Sequence, residues 1–517
     1  MAGEVEDLRA PAIQMAGITK RFGAVIANDA VDLTVRPGSI HGVIGENGAG
    51  KSTLMSILYG FYTADQGTIE VGGQPVAISN SADAIMLGIG MVHQHFMLVQ
   101  SFSVLENVML GAEGGAMLAQ GLDENRRELE RLARDYGLSV DPDALVGDLP
   151  VGVQQRVEII KALRRGAKVL ILDEPTGVLT PEETDGLFQI LHGLAADGVS
   201  ILLITHKLNE IMAVTDQVSV MRGGKMVAHR ETAQTSGAEL AALMVGREVS
   251  LTRTPAEAER GEAALEAQGL TWRDGDGVAR LDNVSLTLHG GEVLGVAGVS
   301  GNGQSELLNL LSGIAPMQEG RLSIGRRVIT RADPAGPAEM RRLGLAHVPE
   351  DRHHRGLVLP FEARENAVLG YHHGPGTGTG RLINPSALTT HCGKLMEGFD
   401  VRPPDPVLRS AGFSGGNQQK LILAREIEAA PKILLIGQPT RGVDIGAIEF
   451  INDRIEELKT QGCAILLVSV ELEEIFALSD RIAVMNEGRI EGVVSRAHAD
   501  MATIGQMMAG MGAEALT

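Results

Sequence analysis

The sequence predicts an α/β chain of two similar halves, each a mostly parallel sheet carrying a phosphate-binding loop. Three observations carry that prediction. First, Gly45-Glu46-Asn47-Gly48-Ala49-Gly50-Lys51-Ser52, followed by Thr53, fits the pattern GxxxxGK[ST], and Gly298-Val299-Ser300-Gly301-Asn302-Gly303-Gln304-Ser305 repeats it with glutamine in the lysine position. Second, each copy follows a short apolar strand, His41–Ile44 or Val293–Val296, and opens a helical pattern of Leu54, Ile57 and Leu58 or of Leu307, Leu308 and Leu311. Third, the repeat keeps its register: Val31-Asp32-Leu33-Thr34 answers Val284-Ser285-Leu286-Thr287, and Ile201-Leu202-Leu203 answers Ile465-Leu466-Leu467.

Each element can be placed on that frame. Val169–Leu172 and Ile201–Ile204 are near-continuous apolar runs, as expected of strands buried on both faces of a parallel sheet. Between the halves the chain turns polar and charged, so a first domain is expected over 1–247, a linker over 248–264 and a second domain over 265–517. A short insertion in the second half falls partly in the Gly-rich stretch that begins at His372, which reads as a loop. The segment ending MAGMGAEALT reads as a frayed tail.

Composition narrows the function classes. The 517 residues are 44% hydrophobic and 21% charged, which suits globular domains. A formal net charge of −20 argues against a general nucleic-acid binder. Cys392 and Cys463 are too few for a disulfide framework or a four-cysteine zinc site, and a reducing cytosol is the simplest reading. The acidic start MAGEVEDLRAPAIQ lacks the apolar core of a secretory signal, and no run approaches the ~20 apolar residues of a membrane span. Any membrane role is expected to pass through a partner.

The first loop carries the chemistry of nucleotide binding. Its glycines let backbone N–H groups face phosphates at a helix N-terminus, Lys51 reaches the β/γ-phosphates, and Ser52 ligates Mg²⁺. Asp173 ends an apolar strand where it can hold the metal, and Glu174 is placed as general base toward the attacking water. His206, after the expected strand 201–205, could bond the γ-phosphate. Alone, the acids would equally read as solvated loop residues and His206 as a surface histidine; the combination favours the functional reading. His353-His354 and His372-His373 read as solvated loops, since no Cys or carboxylate spacing supports a metal.

Together GENGAGKST, LILDEPT, LLITH and FSGGNQQKLILARE resemble the ATP-binding cassette (ABC) family over nearly the whole chain, as two tandem P-loop NTPase cassettes, each with a helical signature subdomain. The resemblance implies ATP and Mg²⁺ as cofactors and hydrolysis coupled to transport. It identifies Ser414, Gly415 and Gly416 with the family signature, Gln94 with the glutamine that senses Mg²⁺ and faces the membrane partner, and Asp444 with an acid that packs across the cassette pair. Phe22 stands where an aromatic stacks on adenine, or packs; Trp272 leaves the same two readings open.

The halves differ at each of these places. Gln304 stands for Lys51, Gly437 for Asp173, Gln438 for Glu174, Val470 for His206 and Glu350 for Gln94. The first half's own signature reads Leu149-Pro150-Val151-Gly152-Val153, without the serine, and Thr180 replaces the acid. In the family's head-to-tail pairing these losses fall on one site. The expectation is one hydrolytic site, from the first half's Lys51, Ser52, Gln94, Asp173, Glu174 and His206 with the second half's signature, and one weak or static site.

Tandem cassettes of this kind resemble the ATP-binding proteins of sugar and nucleoside importers, the nucleoside branch more closely. That implies transmembrane permease subunits and an external substrate-binding protein as partners, no nucleic acid, and a place on the cytoplasmic face of the membrane. The competing expectation is a soluble tandem-cassette translation factor bound to ribosomes, against which the short linker and the acidic charge both speak.

Overall fold

The computed structural model describes residues 10–23, 25–93, 96–110, 118–176, 179, 181–205, 207–248, 258–299, 301–372, 383–443, 445–508 and 510. The chain divides into two compact units, Met1–Val249 and Ser250–Thr517. The strand Ala263–Arg273 takes in the last two residues of the expected linker. The Gly-rich stretch after His372 and the residues from 511 onward lie outside the described residues.

The first unit is built on a six-stranded sheet. In spatial order its strands are Lys225–Glu231, Gln217–Arg222, Ile40–Gly45, Ser200–Ile204, Val169–Asp173 and Ile89–Val92. All neighbours are parallel except the edge pair Lys225–Glu231 with Gln217–Arg222. Ser200–Ile204 is buried at every position, so both faces are covered, as its unbroken apolar run requires. An antiparallel sheet of Val25–Val35, Ile13–Phe22, Gln66–Val71 and Gln74–Val76 accompanies it. Three helices, Val104–Met109, Leu118–Tyr136 and Val151–Arg164, form a helical subdomain.

The second unit repeats the plan. Its six-stranded sheet runs Leu345–Val348, Ile433–Gly437, Ala464–Ser469, Val293–Ala297, Arg481–Asn486 and Arg489–Ser495. The strands keep the same order around the phosphate-loop strand in both units. Among the described residues no helix is long and apolar enough to cross a membrane.

Parallel strands place all their carboxyl ends on one edge, which is where ligands of such sheets bind. The loop after Ile40–Gly45 reaches that edge only because Gly50 adopts φ 100° and sits against the chain. A Cβ on Gly50 would lie 2.2 Å from the Ala27 carbonyl oxygen, whereas one on Gly48, at φ 83°, would meet nothing within 4 Å. Gly50→Ala is therefore expected to destabilise the first unit by more than the ~1–2 kcal/mol of a left-handed alanine, and Gly48→Ala by no more than that. Chemical unfolding of the two variants checks the difference.

Candidate functional site

The first phosphate loop is tied down by its own lysine. Lys51, only 6% exposed, opens the helix Lys51–Leu58, and its ammonium donates to the carbonyl oxygens of Gly45 (2.7 Å) and Glu46 (3.0 Å). Burial lowers its pKa, opposed by the charges of Glu174, Asp173 and Glu46. Those three acids thus lie within electrostatic reach of the loop, although Asp173 and Glu174 are far away in sequence. Burial and the neighbouring Glu174 raise the pKa of Asp173, while Lys51 and a hydrogen bond from Ser52 pull it down. A half-buried carboxylate bonded to the Ser52 hydroxyl is the pair that a divalent cation would relieve and bridge.

Glu174 is held in a strained conformation. Its φ is +47°, the left-handed region that a non-glycine residue enters at a cost of ~1–2 kcal/mol. The strain is retained because its amide donates to the Ile204 carbonyl (2.8 Å), locking the strand end to the neighbouring strand. Behind it, the Thr176 hydroxyl donates to the buried Glu210, which also accepts from Thr205 (3.2 Å) and pairs with Lys207 (3.4 Å). This brace was not visible in the motifs, because Glu210 sits on the helix Leu208–Val214, beyond any pattern.

Gln94, His206 and Asp444 lie outside the described residues. Phe22 ends the strand Ile13–Phe22 at 42% exposure, with its ring edge-on to Tyr62 at 5.1 Å. An open aromatic face is compatible with stacking and is no packed core residue. Trp272, by contrast, packs against the core of the second unit.

The second loop keeps the shape and loses the charge. Gln304, 5% exposed, opens the helix Gln304–Leu311 and its amide donates to the Val299 carbonyl at 3.1 Å. That carbonyl is the counterpart of Glu46, so the glutamine ties the loop much as Lys51 does. Gln438 adopts φ +50° and its amide donates to Val468 at 2.8 Å, the geometry of Glu174 with the carboxylate replaced. The signatures follow the same rule. Ser414 caps the helix Gly415–Glu428 at φ −62°, ψ 157°, and Pro150 caps Val151–Arg164 at φ −53°, ψ 150°. Only Ser414 offers a hydroxyl, which accepts from Asn417 at 2.8 Å. Beside it lies Arg352, whose guanidinium is 2.6 Å from where a Gly415 Cβ would stand.

A groove of about 230 Å³ is lined by Tyr59, Phe61, His93, Met97, Lys161 and Arg165 among others. Phe61 is half exposed and its ring lies 5.2 Å from Tyr59 and 5.5 Å from His93. The second unit fills the corresponding place with charge: Arg341 pairs with the buried Glu426 at 3.0 Å, and the Tyr371 hydroxyl donates to Glu426 at 2.6 Å. Arg425 and Arg341 outweigh burial and hold the Glu426 carboxyl below its usual range.

A strand–loop–helix with a lysine clamp, facing an acid pair at a strand end, defines a P-loop nucleotide-binding protein. The model of the ABC transporter domain matches residues 28–177 and 281–441. The chain belongs to the ABC transporter family, as two tandem cassettes. It is 44% identical over 498 residues to the nucleoside import ATP-binding protein NupA of Lactococcus lactis subsp. cremoris, covering 96% of this chain and 98% of that protein. It is also 44% identical over 534 residues to the glucose import ATP-binding protein TsgD13 of Haloferax volcanii, covering 98% and 96%. Among solved structures, the archaeal ribosome recycling factor aABCE1, in complex with the stalk protein aP1, superposes with TM-score 0.63 at 18% identity, over 96% of this chain and 92% of that one. At that identity the likeness is one of fold.

Because Gln304 already makes the lysine's loop contact, Gln304→Lys is expected to fold with nearly unchanged thermal stability. The added charge should tighten nucleotide binding to the second cassette about tenfold, the scale of one charge-assisted hydrogen bond. Calorimetric titration of a chain whose first loop carries Lys51→Ala measures it.

Proposed function

We propose that this chain is the ATP-hydrolysing subunit of an importer of nucleosides or simple sugars, with a single working catalytic site. The observation that carries the reading is the contrast at one backbone geometry: Glu174 and Gln438 share the left-handed conformation and the same strand-to-strand bond, and only Glu174 can accept a proton. The import role is supported by full-length likeness to NupA and TsgD13, whose printed names differ in substrate. The ribosome-factor reading rests on fold likeness alone.

In this mechanism the loop amides and Lys51 hold the phosphates of ATP, and Phe22 takes the adenine face. Ser52 and Asp173, with Gln94, would hold Mg²⁺; when bound, the ion neutralises charge on the β- and γ-oxygens. Glu174 draws the proton from the attacking water, which His206 orients. Ser414, Gly415 and Gly416 close on the γ-phosphate from the second cassette, with Asp444 packing across the pair, and the helix that Ser414 caps adds its positive N-terminal end. The hydrolysed state opens the pair, and the groove at Phe61 and Tyr59 passes that motion to a permease helix. The external binding protein then sets what is carried, and the subunit works at the cytoplasmic face of the membrane.

Glu174→Gln is expected to slow ATP turnover by ~10²–10⁴-fold with ATP still bound, while Gln438→Ala changes the rate by less than twofold. Ser414→Arg should match the loss from Glu174→Gln although it leaves the first cassette untouched, and Pro150→Ala should be silent. Equal loss from Glu174→Gln and Gln438→Ala in a steady-state phosphate-release assay rejects the one-site reading.

Phe61→Glu places a charge in the groove of the first cassette. Coexpressed with its permease, the variant should pellet with membranes severalfold less than the wild type, as seen by sedimentation and immunoblot, with circular dichroism confirming its fold.

A further inference from the structure

The start of the signature helix in the second cassette carries more positive charge than the motif itself supplies. Arg352 follows the strand Leu345–Val348 in a single turn, Arg352–Gly356, that Asp351 caps by accepting from the amides of His353 (2.9 Å) and His354 (3.0 Å). His353 Nε2 lies 3.0 Å from the side-chain oxygen of Gln418, so the turn is fastened to the helix Gly415–Glu428 that Ser414 caps. The Arg352 guanidinium stands 2.6 Å from where a Gly415 Cβ would be and 3.5 Å from where a Gly442 Cβ would be, and it donates to the Arg441 carbonyl at 3.2 Å. Gly415 thus leaves the room that Arg352 occupies. Among the described residues neither Arg352 nor Arg441 forms a salt bridge, and the buried Arg352 Nε has no hydrogen-bond partner. Burial and the charge of Arg441 lower the Arg352 pKa, opposed by Asp351; a guanidinium stays charged all the same. The first cassette has none of this. In the register where Val92 answers Val348, Phe96 stands for Arg352 and Met97 for His353, while Val151 stands for Gly415 and Gly177 for Arg441. Both arginines, and the glycine that admits one of them, accompany Ser414 and are missing beside Pro150.

We propose that Arg352 belongs to the working signature and brings a guanidinium to the γ-phosphate on which Ser414, Gly415 and Gly416 close. The inference rests on reading that signature as closing on the ATP of the first cassette, and adds a full charge to it. The motif alone offers a hydroxyl, backbone amides and about half a unit of positive charge at the helix start. Two of the three ammonium protons of Lys51 already go to the Gly45 and Glu46 carbonyls. A second cation therefore has work to do as charge spreads over the γ-phosphoryl oxygens. A guanidinium suits it, because its planar fork can donate to two phosphate oxygens at once. An anion at the helix start also relieves the repulsion between Arg352 and Arg441. The tie from His353 to Gln418 makes the arginine move with Ser414, so it arrives only when the signature does. ADP, which has no γ-phosphate, should not feel it.

The experiment uses the full chain and reads steady-state phosphate release from ATP beside titration with N-methylanthraniloyl ADP. Arg352→Gln should lower kcat by ~10²–10³-fold, the scale of removing one charge-stabilising donor, while its affinity for the ADP probe stays within about twofold of the wild type. Trapping of ADP by vanadate, which takes the place of the γ-phosphoryl group, should be lost with it. Arg352→Lys keeps the charge without the fork and should recover about tenfold of the lost kcat. A role in shape alone would treat the two variants alike. Should Arg352→Gln fail to fold by circular dichroism, Arg352→Met, a neutral chain of similar reach, is compared with Arg352→Lys in its stead. A neutral variant whose kcat stays near that of the wild type, or that still traps vanadate, overturns the assignment. So does Arg352→Lys turning over no faster than the neutral variant. Turnover that survives Ser414→Arg sinks the closing signature and this assignment together. Turnover lost in Ser414→Arg but kept in Arg352→Gln removes the assignment alone.

Discussion

Everything functional in this protein depends on one packing constraint: a phosphate loop must leave a buried parallel strand and turn at once into a helix. Gly50 makes that turn where a Cβ would collide with the Ala27 carbonyl, and the side chain of the first helical residue then reaches back to the loop carbonyls. In the first unit this residue is Lys51 and in the second Gln304. Both satisfy loop carbonyl groups, the Gly45 carbonyl of the first unit in a buried contact and the others in part-buried ones, that would be costly to leave unpaired. The loop therefore needs a long donor at this position to hold its shape, but needs a cation only to hold phosphate.

This separation of shape from charge runs through the second unit. Gln438 preserves the backbone strain of Glu174, and Pro150 preserves the extended entry of Ser414 into its helix. The sheets have the same order and parallel register. The grooves diverge further: the first unit presents Phe61, Tyr59 and His93, whereas the second covers the equivalent region with Arg341, Glu426 and Tyr371.

Much of this was legible in the chain. The loops, the strand-end acids and the signature at Ser414 are local patterns whose chemistry depends on neighbours in sequence, so they can be read without coordinates. The buried strands could be placed because parallel sheets covered on both faces need unbroken apolar runs such as Ile201–Ile204. Glu350 was legible only as the residue that stands for Gln94. Its pairing with Ser305 and its entry into the space above Gly437 join three segments distant in sequence. The one available signal was the joint loss of an acid at Gly437 and gain of one at Glu350.

The sequence by itself determined the fold, the tandem organisation and the asymmetry of charge between the halves, because each follows from residue type at fixed local spacing. Only the tertiary structure decided which side chains share space: Lys51 with its two carbonyls, Glu210 behind Thr176, the aromatic groove at Phe61, and Glu350 in the volume that Gly437 leaves open. The reason is physical. A carboxylate's role is set by what lies within a few ångströms of it, and at the edge of a parallel sheet those neighbours come from strands that are adjacent in space and far apart along the chain.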